Sequence, residues 1–296
     1  MEMIKKYISV LFFVLGLVSF AHATDESLPQ KFQGFHLEGY EDDGRVAWDV
    51  KGDNADILGS MIKLTNIDAN RYGNQDVNLK AKRGTVDKAS GNIHLEKDVV
   101  ITSQSGVEMT TNTLDWQKAK DLLVTKDKVF ITHEKMDANG TGLKAHPGLK
   151  LAQLDRDVTV HMETENQKQA PEVLTITCDG PMEIDQQKNM GVFNTNVLAV
   201  QTGRELKTDR MEIYFDPQAQ QIKEIICLGN VVITQGENKT FADKAVYKAA
   251  EKKMVLTGRP KLILVTQGEG GLSGLGDMMK AKTNEDKKDQ PKEEKK

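Results

Sequence analysis

The sequence predicts an all-β protein, and three observations predict it. Most segments past the N-terminal region alternate apolar and polar residues over four to eight positions, bounded by Gly, Asn, Asp or Lys-rich breaks. Helical periodicity is hard to find. A short alternating phrase also recurs three times at constant phase. The composition agrees: 28% of residues are charged and 5% aromatic, which suits sheets with one apolar and one wet face.

The chain opens with MEMIKKYISVLFFVLGLVSFAHATDE. Lys5 and Lys6 precede an apolar run from Tyr7 to Phe20, and Ala21-His22-Ala23 follows as a small-x-small cleavage pattern. Residues 1–23 therefore read as a signal peptide cut after Ala23, or else as a retained membrane anchor. No cysteine follows the run, which argues against lipoprotein processing. Either way the remainder works outside the cytoplasm. Strand patterns then recur, for example at Val46–Val50, Val77–Ala81, Val129–Thr132, Leu174–Cys178 and Lys261–Val265. The least strand-like stretch, His161 to Pro171, is polar and ends in proline, so a boundary falls there between halves 30–162 and 171–266. Residues 267–296 are glycine-rich and then almost wholly charged, a disordered tail that cannot bury enough apolar surface to order itself.

The repeat has two arms. Asp98-Val-Val-Ile-Thr102 leads to Asn112-Thr-Leu-Asp-Trp116, Asn196-Val-Leu-Ala-Val200 to Asp209-Arg-Met-Glu-Ile213, and Asn230-Val-Val-Ile-Thr234 to Asp243-Lys-Ala-Val-Tyr247. The first Asn/Asp lies about 14, 13 and 13 residues before the second. Constant phase turns equivalent residues the same way. One face holds Val99, Ile101, Leu114 and Trp116, then Val197, Ala199, Met211 and Ile213, then Val231, Ile233, Ala245 and Tyr247. A second correspondence joins Cys178–Ile184 to Cys227–Ile233. The repeats are stacked hairpins sharing one apolar inner face.

Several function classes fit poorly. A formal charge of −4 over 296 residues gives no footprint for nucleic acid. The six histidines, His22, His36, His94, His133, His146 and His161, are scattered and never at metal-ligand spacing. His94, on a strand beside Glu96, reads as an outward polar residue. No Gly-x-Ser-x-Gly and no phosphate-binding Gly-x4-Gly-Lys-Ser/Thr occurs. No catalytic residue, metal site or cofactor is expected, and the chain is not expected to be an enzyme. Cys178 and Cys227 are either one disulfide or two small buried apolar residues.

These residues resemble the periplasmic bridge proteins of lipopolysaccharide export. The second half resembles the LptA/OstA N-terminal family through Leu174–Asp185, Thr208-Asp-Arg-Met-Glu-Ile-Tyr-Phe215, Gly229–Gly236, Ala242–Tyr247 and Leu256–Pro260. The first half resembles LptC, more loosely, through Trp48-Asp-Val50, Leu64-Thr-Asn66, Ala81–Gly84, Asp98–Ile101 and Gly106–Trp116. The resemblance implies an elongated antiparallel β-jelly roll, two stacked halves open along one side. It implies passage of lipopolysaccharide from an inner-membrane ABC transporter toward an outer-membrane assembly protein or further bridge subunits. Its lipid A acyl chains would lie along the inward face described above. A stack of about eight layers would be roughly 40 Å long. The terminal edge, Leu262, Ile263, Leu264 and Val265, carries no charge within it and is expected to pair with a neighbour's strand. A scaffold of the same β-repeats that holds no lipid shares every feature except the resemblance.

Overall fold

The computed structural model describes residues 30–265, apart from 74–75, 135, 147–150, 165–171 and 219–220. The N-terminal segment and the charged tail lie outside the described residues. Among the described residues seventeen strands follow one another. The first nine are β1 (Gln30–Tyr40), β2 (Val46–Leu58), β3 (Met61–Arg71), β4 (Val77–Asp87), β5 (Ile93–Ser103), β6 (Glu108–Gln117), β7 (Leu122–His133), β8 (Met136–Ala145) and β9 (Leu151–Thr164). Then come β10 (Glu172–Cys178), β11 (Met182–Asp185), β12 (Met190–Gln201), β13 (Arg204–Phe215), β14 (Ile222–Gln235), β15 (Asn238–Lys248), β16 (Lys253–Thr257) and β17 (Lys261–Ile263). The one helical feature among the described residues is a 3-10 turn at Lys118–Lys120.

Every pairing is antiparallel, and almost every strand lies beside its neighbours in sequence. β10 and β11 together complete one layer between β9 and β12. β16 and β17 together complete the last layer, on β15. The seventeen strands therefore make fifteen layers, about 70 Å at ~4.8 Å each. That is longer than the eight layers expected from the sequence. Pairing continues unbroken from β9 to β10, so the two halves form one sheet.

Most strands run ten to fourteen residues, about twice the length that alternation suggests. The reason is a bend near the middle of each. Register shifts at Glu96/Val99, Asn194/Val197 and Leu228/Val231 mark it. There the backbone enters the left-handed region, at Lys97 and Asp98 (φ 66° and 51°), Thr195 and Asn196 (66° and 52°) and Asn230 (45°). Asparagine and aspartate accept this conformation more readily than other non-glycine residues. Side chains tie the bends of adjacent strands together. Asn196 Nδ2 donates to Asp179 Oδ2 at 2.6 Å, and Lys82 pairs with Asp98. The long sheet thus folds over along a line of corners. Residues from both sides of the fold, such as Leu95 and Val99, join one apolar core.

Bulges at the corner remove carbonyls from the ladder, and buried threonines satisfy them. Thr111 Oγ1 donates to the Lys128 carbonyl at 3.0 Å. Thr208 Oγ1 donates to the Leu228 carbonyl at 2.9 Å and lies 3.0 Å from that of Gly229. These two threonines stand immediately before Asn112 and Asp209, at the same place in two repeats.

Candidate functional site

The inward face is a trough whose floor runs along the corner. Across the strands the floor row reads Val99, Thr111, Val129, Gly140 in the first half, and Val197–Thr208 and Val231–Ala242 in the second. All are small, because the two walls converge there. One step along each wall larger residues appear among small ones. One row runs Ile101, Met109, Ile131, Ala138, Val160, Ile176, Ala199, Leu206 and Ile233. The opposite wall carries Met182, Phe193, Met211, Cys227 and Ala245 side by side. Methionine suits a lining that must change shape, being unbranched and polarizable.

Nine of the twelve residues that the repeat assigns to one apolar face are buried. Val99, Leu114, Val197, Met211, Ile213, Val231 and Ala245 are at most 2% exposed. Ile101 and Ala199 are nearly as covered, at 5% and 8%. Trp116, Ile233 and Tyr247, nearer the hairpin turns, are half-buried. Exposure therefore rises on the whole from floor to rim, with Ile213 an exception. The neighbours one residue over, Val100 and Val232, point to the outer face. The trough is packed with its own side chains, so a guest must part the walls from the rim.

Trp116 marks the rim of the first half. Its Nε1 is covered yet has no hydrogen-bond partner. It borders a cavity of about 500 Å³ shared with Met61, Ile93, His94 and Asp115. Nothing in the alternation pattern signalled that orphaned donor. His94 faces outward, as expected, with Nδ1 2.6 Å from Asp115 Oδ1.

Cys178 and Cys227 are free and buried. Two strands, β12 and β13, lie between theirs, a separation of ~14 Å that no disulfide spans. Burial raises both thiols, Cys227 to about 12. Of the two readings, the buried apolar one holds. Among the described residues no group of three or more His, Cys, Asp or Glu side chains is placed to hold a metal.

The trough ends in solvent at both mouths. At the first layer Phe32 and Leu37 stay 49% and 37% exposed, beside Ala55 and Val50 of β2. At the last layer Met254 and Leu262 are 43% and 56% exposed, continuing the rows of Tyr247 and Thr240. Among the described residues β1 pairs only with β2, and β16 and β17 only with β15, so each mouth also presents a backbone edge with no described partner. The terminal residues Leu262, Ile263, Leu264 and Val265 are all exposed.

The family described as lipopolysaccharide-assembly, LptC-related, matches residues 17–163. The family described as LptA/(LptD N-terminal domain) LPS transport protein matches residues 176–287. No curated protein matches. Among solved structures the chain is similar to LptH, the LptA-homologous periplasmic component of the lipopolysaccharide transport device of Pseudomonas aeruginosa. That similarity is 15% in identity over 65% of this chain and 95% of that one, with a TM-score of 0.22. With an LptC-related unit followed by an LptA/LptD-type unit, the chain belongs to the bridge proteins of lipopolysaccharide transport.

Proposed function

We propose that the trough shields the acyl chains of lipopolysaccharide while the molecule crosses the periplasm. The observation that carries this reading is one apolar core that runs from β3 to β15, with Val50 of β2 and Leu256 of β16 packed against it and exposed apolar residues at both mouths. Exposing an acyl chain of about twelve carbons to water costs on the order of 10 kcal/mol, at ~0.8 kcal/mol per methylene. A lining of constant chemistry keeps that cost from returning at each step. The lipid enters from the rim, where inward residues are half-buried, and its head group stays outside in water. The β1 mouth faces an inner-membrane ABC transporter that supplies the energy. The β16–β17 mouth pairs its free edge with an outer-membrane assembly protein or a further bridge subunit. Residues 1–23 act as a signal peptide or as a tether to the inner membrane. The role is that of a transport bridge rather than an enzyme.

The test is photo-crosslinking in cells. A probe at Ile233 should capture lipopolysaccharide, and one at Val232 much less, because the period of two turns adjacent side chains to opposite faces. Equal capture at both would sink the inward assignment. No capture anywhere on the inner face would leave a β-scaffold that holds no lipid.

A further inference from the structure

The turns β2–β3, β4–β5 and β6–β7 fall on one rim of the first half. Met61, Asp87, Asn92 and Ala119, in or beside those turns, line a cavity of about 500 Å³. That volume lies within the ~300–1,000 Å³ usual for small-molecule sites. Thr85, His94 and Asp115, side by side on β4, β5 and β6, line it too, and so does the pair Ile93–Trp116. We propose that this cavity is a saccharide site, which holds the sugar part of lipopolysaccharide at the rim while the acyl chains lie in the trough. The site stands on the cavity's own chemistry, and the identity of its occupant rests on the trough reading above.

The lining does not suit an acyl chain. Trp116 Nε1 is shielded from solvent and donates to nothing. A covered polar group without a partner is uncommon, and this one calls for an acceptor. His94 Nδ1 and Asp115 Oδ1 lie 2.6 Å apart. With the shared proton on His94 Nδ1, its Nε2 is an acceptor, and Asp115 keeps a second oxygen. The Asn92 side-chain oxygen accepts the Lys118 amide at 3.0 Å, so the Asn92 amide group remains as a donor. Lys120, also in the lining, has no ion-pair partner among the described residues. Donors and acceptors are thus interleaved in one cavity. A hydroxyl both donates and accepts, so a ring bearing several hydroxyls satisfies both kinds. A phosphate only accepts, and here it would meet the Asp87 and Asp115 carboxylates. Met61, Ile93 and the indole face suit the C–H side of a sugar ring.

The second large cavity makes the contrast. It measures about 430 Å³, and Lys144, Lys188 and Arg210 line it. Those cations already pair with Asp155 at 3.1 Å, Asp185 at 2.8 Å and Glu212 at 2.9 Å. Trp116 also stands at the right height. Leu114, 1% exposed, lies two residues deeper on β6. A lipid with its chains at the level of Leu114 brings its sugars ~7 Å nearer the turn, to the level of Trp116.

The experiment titrates the full chain with the oligosaccharide left when the acyl chains are removed from lipopolysaccharide. Tryptophan emission should change saturably, and calorimetry should show saturable heat. Dodecanoate should leave the emission unchanged. No response to the oligosaccharide, or an equal response to dodecanoate, would overturn the site. Removing the phosphates from the oligosaccharide should change its affinity less than about twofold. Loss of binding on dephosphorylation would make this a phosphate site and overturn the saccharide claim. Trp116→Phe keeps a ring and deletes the donor, and Lys120→Ala alters an exposed turn residue. Each should weaken binding roughly five- to tenfold in calorimetry. Trp116→Phe should also abolish the emission response, although Trp48 remains. Lys188→Ala, in the second cavity, should bind like the parent. Unchanged affinity in both Trp116→Phe and Lys120→Ala, or an equal loss in Lys188→Ala, would overturn the placement. A photo-probe at Ile233 with intact lipopolysaccharide separates this claim from the trough reading. Oligosaccharide binding without lipid capture at Ile233 would refute the trough and leave the saccharide site standing. Capture at Ile233 without oligosaccharide binding would overturn the saccharide site and leave the trough.

Discussion

Asn230 donates its side-chain amide to Asp209 Oδ2 at 2.9 Å, across the corner between β14 and β13. The bond joins the first polar residue of one repeat to the second polar residue of the repeat before it. This explains the spacing of about thirteen residues: it is the path from one corner, around a hairpin turn, to the next. The phrase recurs because each pair of layers needs both the left-handed bend and its acceptor.

Gly229, beside Asn230, has φ +78°, and a Cβ there would lie 2.4 Å from Asp209 Oδ2. Gly229→Ala should therefore cost ~1–3 kcal/mol, strain and displaced carboxylate together. Gly236→Ala, at φ +59° in an open turn with nothing within 4 Å, should cost about 1 kcal/mol at most. Urea midpoints compare the two. Equal losses would show that Asp209 is not held at the corner.

Thr208 serves the carbonyls of Leu228 and Gly229, which the bulge removes from the ladder. Thr208→Val keeps the shape and deletes the donor. An unsatisfied buried acceptor costs ~1–3 kcal/mol, so the variant should unfold at lower urea by that amount. Thr111→Val should behave alike, since its hydroxyl serves Lys128 in the first half. A neutral Thr208→Val would mean that water reaches those carbonyls.

Asp49 is 5% exposed and carries a charge. Burial pushes its carboxyl up, but hydrogen bonds from the Tyr72 hydroxyl (2.6 Å) and Asn70 Nδ2 (3.1 Å), with Lys51 nearby, outweigh burial and hold it below the usual range. A folded pKa below the unfolded one stabilises the fold above the unfolded value and stops doing so as pH falls through the folded value. The stability gap between the parent and Asp49→Asn should be constant above about pH 5 and shrink below about pH 4. Urea titrations from neutral to acid pH read it. A gap that widens on acidification would refute the depressed pKa.

The buried thiols give a further readout. With Cys227 pushed up to about 12 and Cys178 also raised, thiolate is scarce at pH 8. A thiol reagent should find no fast-reacting cysteine in the native protein and two in urea. A protein that keeps both cysteines blocked in urea until it is reduced would contradict the separation of their strands.

How much of this was legible follows from what alternation encodes. A period of two reports which face a residue takes, so the burial of Val99, Leu114 and Val231 could be read directly. It does not report whether a polar break is a turn or a bend. Lys97-Asp98, Thr195-Asn196 and Gly229-Asn230 have the composition of turns, yet they sit inside β5, β12 and β14. Reading them as ends cut each strand in two and hid the fold-over that makes the trough. The donor orphaned on Trp116 depends on packing across the rim, which no local pattern records.

The last layer gives the clearest test of assembly, and its geometry changes which residue to alter. The sequence suggests Ile263→Pro as the way to remove an edge donor. Yet Val265 N donates to Asn238 Oδ1 of β15 at 3.1 Å, and Ile263 lies opposite Lys239 of that strand. Backbone amides along a strand alternate in direction, so the Ile263 amide also points at β15. The amides of Leu262 and Leu264 point the other way, where no strand follows among the described residues. Ile263→Pro should therefore loosen β17 from β15 and lower stability. Leu264→Pro, just past β17, removes an outward donor and leaves the β15 contact in place. With circular dichroism confirming the fold, Leu264→Pro should weaken self-association in sedimentation. It should also slow lipopolysaccharide delivery in cells depleted of any separate bridge protein. A Leu264→Pro protein that assembles and delivers like the parent would show that the neighbour does not dock on this edge.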